Sequence, residues 1–157
     1  MQAMSLPTNS RCSVARSLEI LGQKWNLLIV REAFLGRTRF AEFREIGIPS
    51  DILSARLAGL ESAGILDRRP YQRPGERARD EYVLTAAGRD LLPVLAAFAE
   101  WGDEYVPTGY GPAIVYEDEK SGRQVRLAFV DDHGVEVDRS AVIPIRGPGA
   151  IVVDQAS

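Results

Sequence analysis

The sequence predicts an α+β fold: a mainly helical body carrying a two-stranded β-hairpin, then a small β-rich extension. Three observations predict it. Successive segments between Ser13 and Ala63 repeat apolar residues at helical spacing and are separated by glycine-bearing turns. Two short runs, Ile65–Arg69 and Glu81–Leu84, flank a loop rich in proline, glycine and arginine, as in a hairpin. Beyond the linker-like stretch at 107–112 (PTGYGP) apolar and polar residues alternate around Gly122 and Gly134.

Residues 1–11 are polar and expected to be disordered. A first helix runs from Ser13, expected as its cap, to Leu21; Val14, Leu18 and Leu21 share one face and Gly22 ends it. A second, from Lys24 to Leu35, is apolar around most of its circumference and should be the central core helix. Phe40, Phe43 and Ile46 mark a short third helix, with Thr38 as its expected cap. The Gly47-Ile48-Pro49 turn leads to a fourth helix capped by Ser50, with Leu53, Leu57 and Leu60 as its buried stripe. The hairpin loop is expected from Pro70 to Arg79, with both prolines, Pro70 and Pro74, outside the ladder. Thr85 should cap one long final helix reaching Tyr105. Two helices across a tight turn, followed by a hairpin, is the order of a winged helix-turn-helix. The tail should form one unit of three or four strands.

Charge is unevenly spread. The net charge is −3, yet residues 1–89 hold 14 Lys+Arg against 10 Asp+Glu (+4), and residues 90–157 hold 5 against 12 (−7). Residues 68–79 alone contain five arginines and one acid, Glu76. A local positive field of this kind attracts a phosphate backbone whatever the total charge. The 45% hydrophobic content is that of a soluble globular protein, and no apolar run approaches the roughly 20 residues that span a bilayer. With one cysteine and no basic-then-apolar leader, a cytoplasmic protein without an internal disulfide is expected, and no membrane partner.

The segments CSVARSLEILGQKWNLLIVREAF (12–34), RFAEF (39–43), LSARLAGLESAGIL (53–66), RRPYQRPGERARDEYVLT (68–85) and GRDLLPVLAAFAEWGDEY (88–105) resemble the HxlR-type winged helix-turn-helix regulators, relatives of the MarR regulators. The resemblance covers about two thirds of the chain. It implies a DNA-binding domain at 12–109, a β-rich extension at 110–157, and a homodimeric transcription regulator acting on double-stranded DNA. Dimer contacts are implied for the first and last helices, here Val14, Leu18, Leu95, Phe98, Trp101 and Tyr105. Some members sense oxidants through a cysteine near the first helix, and Cys12 matches that place. Extensions in this group often carry Cys-Gly pairs at zinc-ribbon spacing. The matching places here read Ser121-Gly122, Asp131 and His133-Gly134, so neither metal nor any other cofactor is expected.

Candidate site residues divide by role. On the fourth helix Ser50, Ser54 and Arg56 have base-edge or phosphate chemistry, and Ile52 suits a thymine methyl. Arg73, Arg77 and Arg79 are the loop's backbone contacts, and one of Arg68 and Arg69 should face the protein. Arg37 and Arg39 precede the third helix, where arginines and backbone amides meet phosphate. Cys12, near a helix start and between Arg11 and Arg16, is the candidate redox sensor. Trp25, Phe98, Trp101 and Tyr105 could line a pocket for a small-molecule effector, although such aromatics more often anchor cores and interfaces. Symmetry predicts an inverted-repeat operator. The alternative is a winged-helix module that binds protein without reading DNA, which has little need of five like charges in its loop. An enzyme is not expected: the single histidine, His133, lies in a tail turn, and no nucleophile has a base beside it in the sequence.

Overall fold

The computed structural model describes residues 11–150. Most of the stretch expected to be disordered, 1–10, lies outside them. Helices α1 (Ser13–Leu21), α2 (Lys24–Phe34), α3 (Phe40–Arg44) and α4 (Ser50–Ser62) lead into strands β1 (Leu66–Tyr71) and β2 (Arg79–Leu84), then the short helix α5 (Ala86–Arg89). These belong to one compact unit; Leu92–Arg146 form a second. The second holds α6 (Leu92–Tyr105) and four two-residue strands: β3 (Tyr116–Glu117), β4 (Gln124–Val125), β5 (Phe129–Val130) and β6 (Glu136–Val137). Composition divides the chain at its linker, 109–110, whereas packing divides it before α6. The reason is that α6 is tied to the tail: the Glu100 carboxylate accepts the Leu127 N–H at 3.2 Å and the Arg139 guanidinium at 2.9 Å.

The core of the first unit is Ile29 and Val30 on α2, Phe43 on α3, and Leu53, Leu57 and Leu60 on α4, closed by Ile48, Ile65 and Leu66. Each such side chain contributes about 1.5–3 kcal/mol by leaving water. The leucine stripe of α4 turns one side of that helix inward and leaves Asp51, Ser54, Ala55 and Ala58 outward. Two buried polar groups on α2, Asn26 and Glu32, find local partners, although the Asn26 Oδ1 is buried without one. The Asn26 amide donates to the Ile20 carbonyl at 2.5 Å, and Glu32 accepts from Arg31 and Arg37, each at 2.7 Å. The α2–α4 region therefore folds as a helix-turn-helix, with Gly47 at φ 87° making the turn that a side chain would strain.

The hairpin is longer than expected. β1 and β2 pair antiparallel from Leu66 opposite Leu84 to Tyr71 opposite Arg79, so Pro70 lies within a strand. Its missing N–H is tolerated because β1 is an outer edge. The other flank of β2 is covered: the Tyr82 N–H donates to the Thr38 carbonyl at 2.7 Å and Arg39 bridges Glu81.

Other expectations change. The helix from Thr85 to Tyr105 is broken after α5, because Pro93 has no N–H for the Arg89 carbonyl and its ring would strike it. Thr85 caps only α5, accepting the Gly88 N–H at 3.0 Å. Cys12 and Pro49, extended with ψ 117° and 143°, hold the capping positions of α1 and α4, so Ser13 and Ser50 are already helical. Arg39, not Thr38, holds the position before α3. The tail forms two separate hairpins, β3–β4 and β5–β6, in place of one sheet. Their turns are braced by aspartates: Asp118 accepts the Ser121 N–H at 3.0 Å, and Asp131 accepts the His133 and Val135 N–H groups at 2.9 Å. No helix among the described residues is long and apolar enough to cross a membrane.

Candidate nucleic-acid interface

The first unit presents α4 and the hairpin tip as its polar, solvent-facing features. Ser50 and Ser54 are exposed on α4, while Ile52 and Arg56 are half-buried beside the leucine stripe. The Arg56 Nε is buried without a hydrogen-bond partner. Asp51, exposed in the first turn, was not among the expected contacts. Its carboxylate suits the helix N-terminus and could accept a cytosine amino group. Its place between Ser50 and Ile52 on the same helix turn was visible in the sequence.

The five hairpin arginines are not equivalent. Arg68 pairs with Asp80, and Arg69 with Asp67 at 3.1 Å. Both are exposed, so neither faces the protein as one was expected to; each finds an acid on the ribbon's own surface instead. The Asp80 hydrogen bond holds the Arg68 guanidinium above its ordinary pKa. Arg73, Arg77 and Arg79 have no acid partner among the described residues and are exposed at the tip. The tip is shaped by Gly75 at φ 80°, by the Glu76 N–H donating to the Arg73 carbonyl at 3.0 Å, and by the Gln72 amide donating to the Glu76 carbonyl at 3.2 Å.

Arg37 and Arg39 differ in the same way. Arg37 is held by Glu32 at 2.7 Å, by Glu45, and by the Glu42 carbonyl at 3.2 Å, which joins the end of α2 to α3. Its pKa is raised, first by the Glu45 hydrogen bond. The amides expected to meet phosphate are taken: Thr38 and Arg39 N–H groups both donate to the Glu42 carboxylate at 2.9 Å. Those two bonds hold the Glu42 pKa below the usual carboxylate range. Arg39 reaches the hairpin, where its guanidinium lies 4.4 Å from the Tyr71 ring centre and donates to the Tyr71 hydroxyl at 2.7 Å. Arg73 donates to the same hydroxyl. Tyr71 is a second residue missed from sequence. An aromatic two places from Arg73 was a visible cue; its meeting with Arg39 was not.

Cys12 is exposed at the start of α1, and its carbonyl accepts the Arg16 N–H at 3.1 Å. On the same helix Val14 and Leu18 are 68% and 56% exposed, and α1 buries no residue. Trp25 is half-buried in the first unit, with the Lys24 ammonium 4.6 Å from its ring centre. In the second unit Phe98 and Trp101 are each 61% exposed, Leu95 is half-buried, and Trp101 stacks on Tyr105 with ring centres 5.4 Å apart. A groove of about 1300 Å³ runs beside this face, lined by Trp101, Asp103, Tyr105, Tyr116, Leu127 and Ile143 among others. His133 is an exposed turn residue. Among the described residues no three His, Cys, Asp or Glu side chains converge as metal ligands. Of the places that would carry zinc thiolates, Ser121 and Asp131 hold side chains that brace turns.

The family model described as HxlR-like helix-turn-helix matches residues 20–110. The chain is 43% identical over 139 residues to the uncharacterized HTH-type transcriptional regulator Rv3095 of Mycobacterium tuberculosis, covering 87% of each. The crystal structure of PA1607, a candidate transcription factor, superposes with a TM-score of 0.72 at 35% identity, covering 87% of this chain and 95% of that one. The redox regulator HypR in its reduced form matches with a TM-score of 0.54 at 33% identity, covering 63% of this chain and all (100%) of HypR.

Proposed function

The chain belongs to the HxlR-like helix-turn-helix family, and on that premise we propose that it is a cytoplasmic, non-enzymatic transcription regulator that binds an inverted-repeat operator as a homodimer. The observation that carries this is the exposed polar residues of α4, a helix packed on β1, together with three tip arginines, Arg73, Arg77 and Arg79, with no acid partner among the described residues. In this reading α4 enters the major groove, with Ser50, Ile52, Ser54 and Arg56 toward base edges. Arg39 and the tip arginines meet the flanking phosphates. Arg37 serves the protein, since Glu32 and Glu45 hold its charge. The exposed apolar residues Val14 and Leu18 on α1, and Phe98, Trp101 and Tyr105 with Leu95 on α6, support a dimer built on those two helices.

Selection of duplexes from a random pool by the purified chain tests this. The expected product is an inverted repeat bound far more tightly than random DNA, with affinity falling steeply with salt. Equal affinity for selected and random duplexes would overturn specific readout.

Response to an oxidant through Cys12 is favoured by its exposure at the start of α1 and by the likeness to HypR, a redox regulator. As the chain's single cysteine, it would act through an intersubunit disulfide or an adduct. Diamide treatment should then release the operator from the native chain and not from Cys12→Ser. An apolar effector in the groove beside Trp101 would instead shift operator affinity in both proteins.

A further inference from the structure

We infer that Tyr71 assembles Arg39 and Arg73 into one clamp for a single backbone phosphodiester, and so is a positioning residue of the DNA interface. The inference rests on the DNA-binding reading and adds to it a site made by three residues from two segments.

The chemistry is that of a phenol between two guanidinium groups. Arg39 packs against the Tyr71 ring, 4.4 Å from its centre, and donates to the hydroxyl at 2.7 Å. Arg73 donates to the same oxygen, with its guanidinium carbon 5.9 Å from the ring centre. A phenolic oxygen has two lone pairs and one proton. With both lone pairs occupied by arginine N–H groups, the O–H remains as a donor, and each guanidinium keeps further N–H groups free of this bond. The cluster gathers two positive charges and several donors; among the described residues no carboxylate bonds either guanidinium, and the Glu42 carboxylate near Arg39 is taken by the Thr38 and Arg39 backbone N–H groups. Such a cluster is the complement of a phosphodiester anion, which offers acceptors only.

The parts are held in place before any ligand arrives. Arg39 is anchored by its bridge to Glu81 and by its N–H bond to Glu42. Tyr71 ends the ladder opposite Arg79. The Arg73 carbonyl accepts the Glu76 N–H within the tip turn. With the main chain fixed in this way and both guanidinium groups tied to the Tyr71 hydroxyl, the two arginines lose less freedom on binding than lone surface arginines. Among the described residues the Arg77 and Arg79 guanidinium groups have no hydrogen bond of this kind and act as independent charges.

The test uses the full chain and a fluorescent duplex of about 30 base pairs and random sequence, since phosphate contacts need no operator. Anisotropy is followed across a potassium chloride titration. Arg39→Ala and Arg73→Ala should each make the log–log salt slope shallower by about 0.9. Tyr71→Ala, which removes neither charge, should still make it shallower and weaken binding on the order of tenfold, as for a lost charge-assisted hydrogen bond. Arg39→Ala should then cost little more in the Tyr71→Ala background. Tyr71→Phe keeps the ring and the hairpin packing, and should weaken binding on the order of threefold. A wild-type slope in Tyr71→Ala, full additivity with Arg39→Ala, or wild-type affinity in Tyr71→Phe would each overturn the clamp while leaving DNA binding intact. If circular dichroism shows Tyr71→Ala unfolded, the Tyr71→Phe result decides. A wild-type chain without salt-dependent duplex binding would overturn the function itself.

Discussion

Gly88 of the first unit has no room for a side chain. It is buried in α5, its N–H is taken by the Thr85 hydroxyl, and a Cβ there would collide with the Ile65 carbonyl oxygen and meet Leu84 Cδ2 at 3.0 Å. The Ile65 carbonyl cannot retreat freely, because it also accepts the Thr85 N–H at 3.1 Å. Gly88→Ala should therefore cost about 1–3 kcal/mol, the usual penalty of overpacking, and lower the thermal midpoint. An unchanged midpoint would mean that the α5 junction yields. Arg56 is the residue on which base preference should depend. It is half-buried with its Nε turned into the protein, so the guanidinium's terminal N–H groups are the donors for a base edge. Arg56→Ala should relax preference at one position of the selected operator, by about 1–3 kcal/mol, and spare the rest. Uniform weakening would assign it to the backbone instead.

At the scale of elements, the hairpin sorts its arginines by position along the ribbon. On the paired strands Arg68 and Arg69 meet Asp80 and Asp67, and such exposed pairs contribute little to stability. Their effect is to neutralise the base of the wing. Positive charge is left at the tip and at the return into β2, where Arg77 and Arg79 stand. Arg77→Ala and Arg79→Ala should weaken selected and random duplexes alike, each making the salt slope shallower by about 0.9. A change in operator preference would show that the wing reads bases. The tail has a different logic. Its turns and its tie to α6 rest on carboxylates: Glu100 is held below its ordinary pKa by the Arg139 guanidinium and then by the Leu127 N–H. A carboxylate with a lowered folded pKa stabilises above its unfolded value of about 4.3 and loses that contribution as pH falls through the folded value. The tie between α6 and the tail should thus loosen below pH about 4.3. The Leu127 amide resonance should report it, and Glu100→Gln should abolish that titration.

For the whole molecule the deciding quantity is self-association. A single copy leaves Val14 and Leu18 of α1, and Phe98 and Trp101 of α6, more than half exposed. Aromatic residues of this kind anchor interfaces more often than they remain in water. Phe98→Asp should yield a folded monomer by sedimentation. Operator affinity should fall toward the random-DNA level, because one half-site then binds without the other. A dimer that survives Phe98→Asp and Leu18→Asp together would place the interface elsewhere. The charge asymmetry fits this scheme, since the basic half carries α4 and the wing while the acidic half carries α6 and the tail.

The sequence by itself determined the fold class, the spans of α1 to α4, the leucine stripe of α4 and the presence of a basic hairpin. All of these follow from local spacing: an i, i+4, i+7 stripe or a run of arginines has the same meaning wherever the chain goes. Even the break before α6 was written in Pro93. What only the tertiary structure decided is which charges are left over for a ligand. Glu32, buried on α2, takes Arg37; Asp80 on the return strand takes Arg68; Tyr71 gathers Arg39 from 32 positions away. Those partners come from separate elements. The free charge of the interface is therefore set by how helix, turn and ribbon fold back on one another, and by no pattern within any one of them.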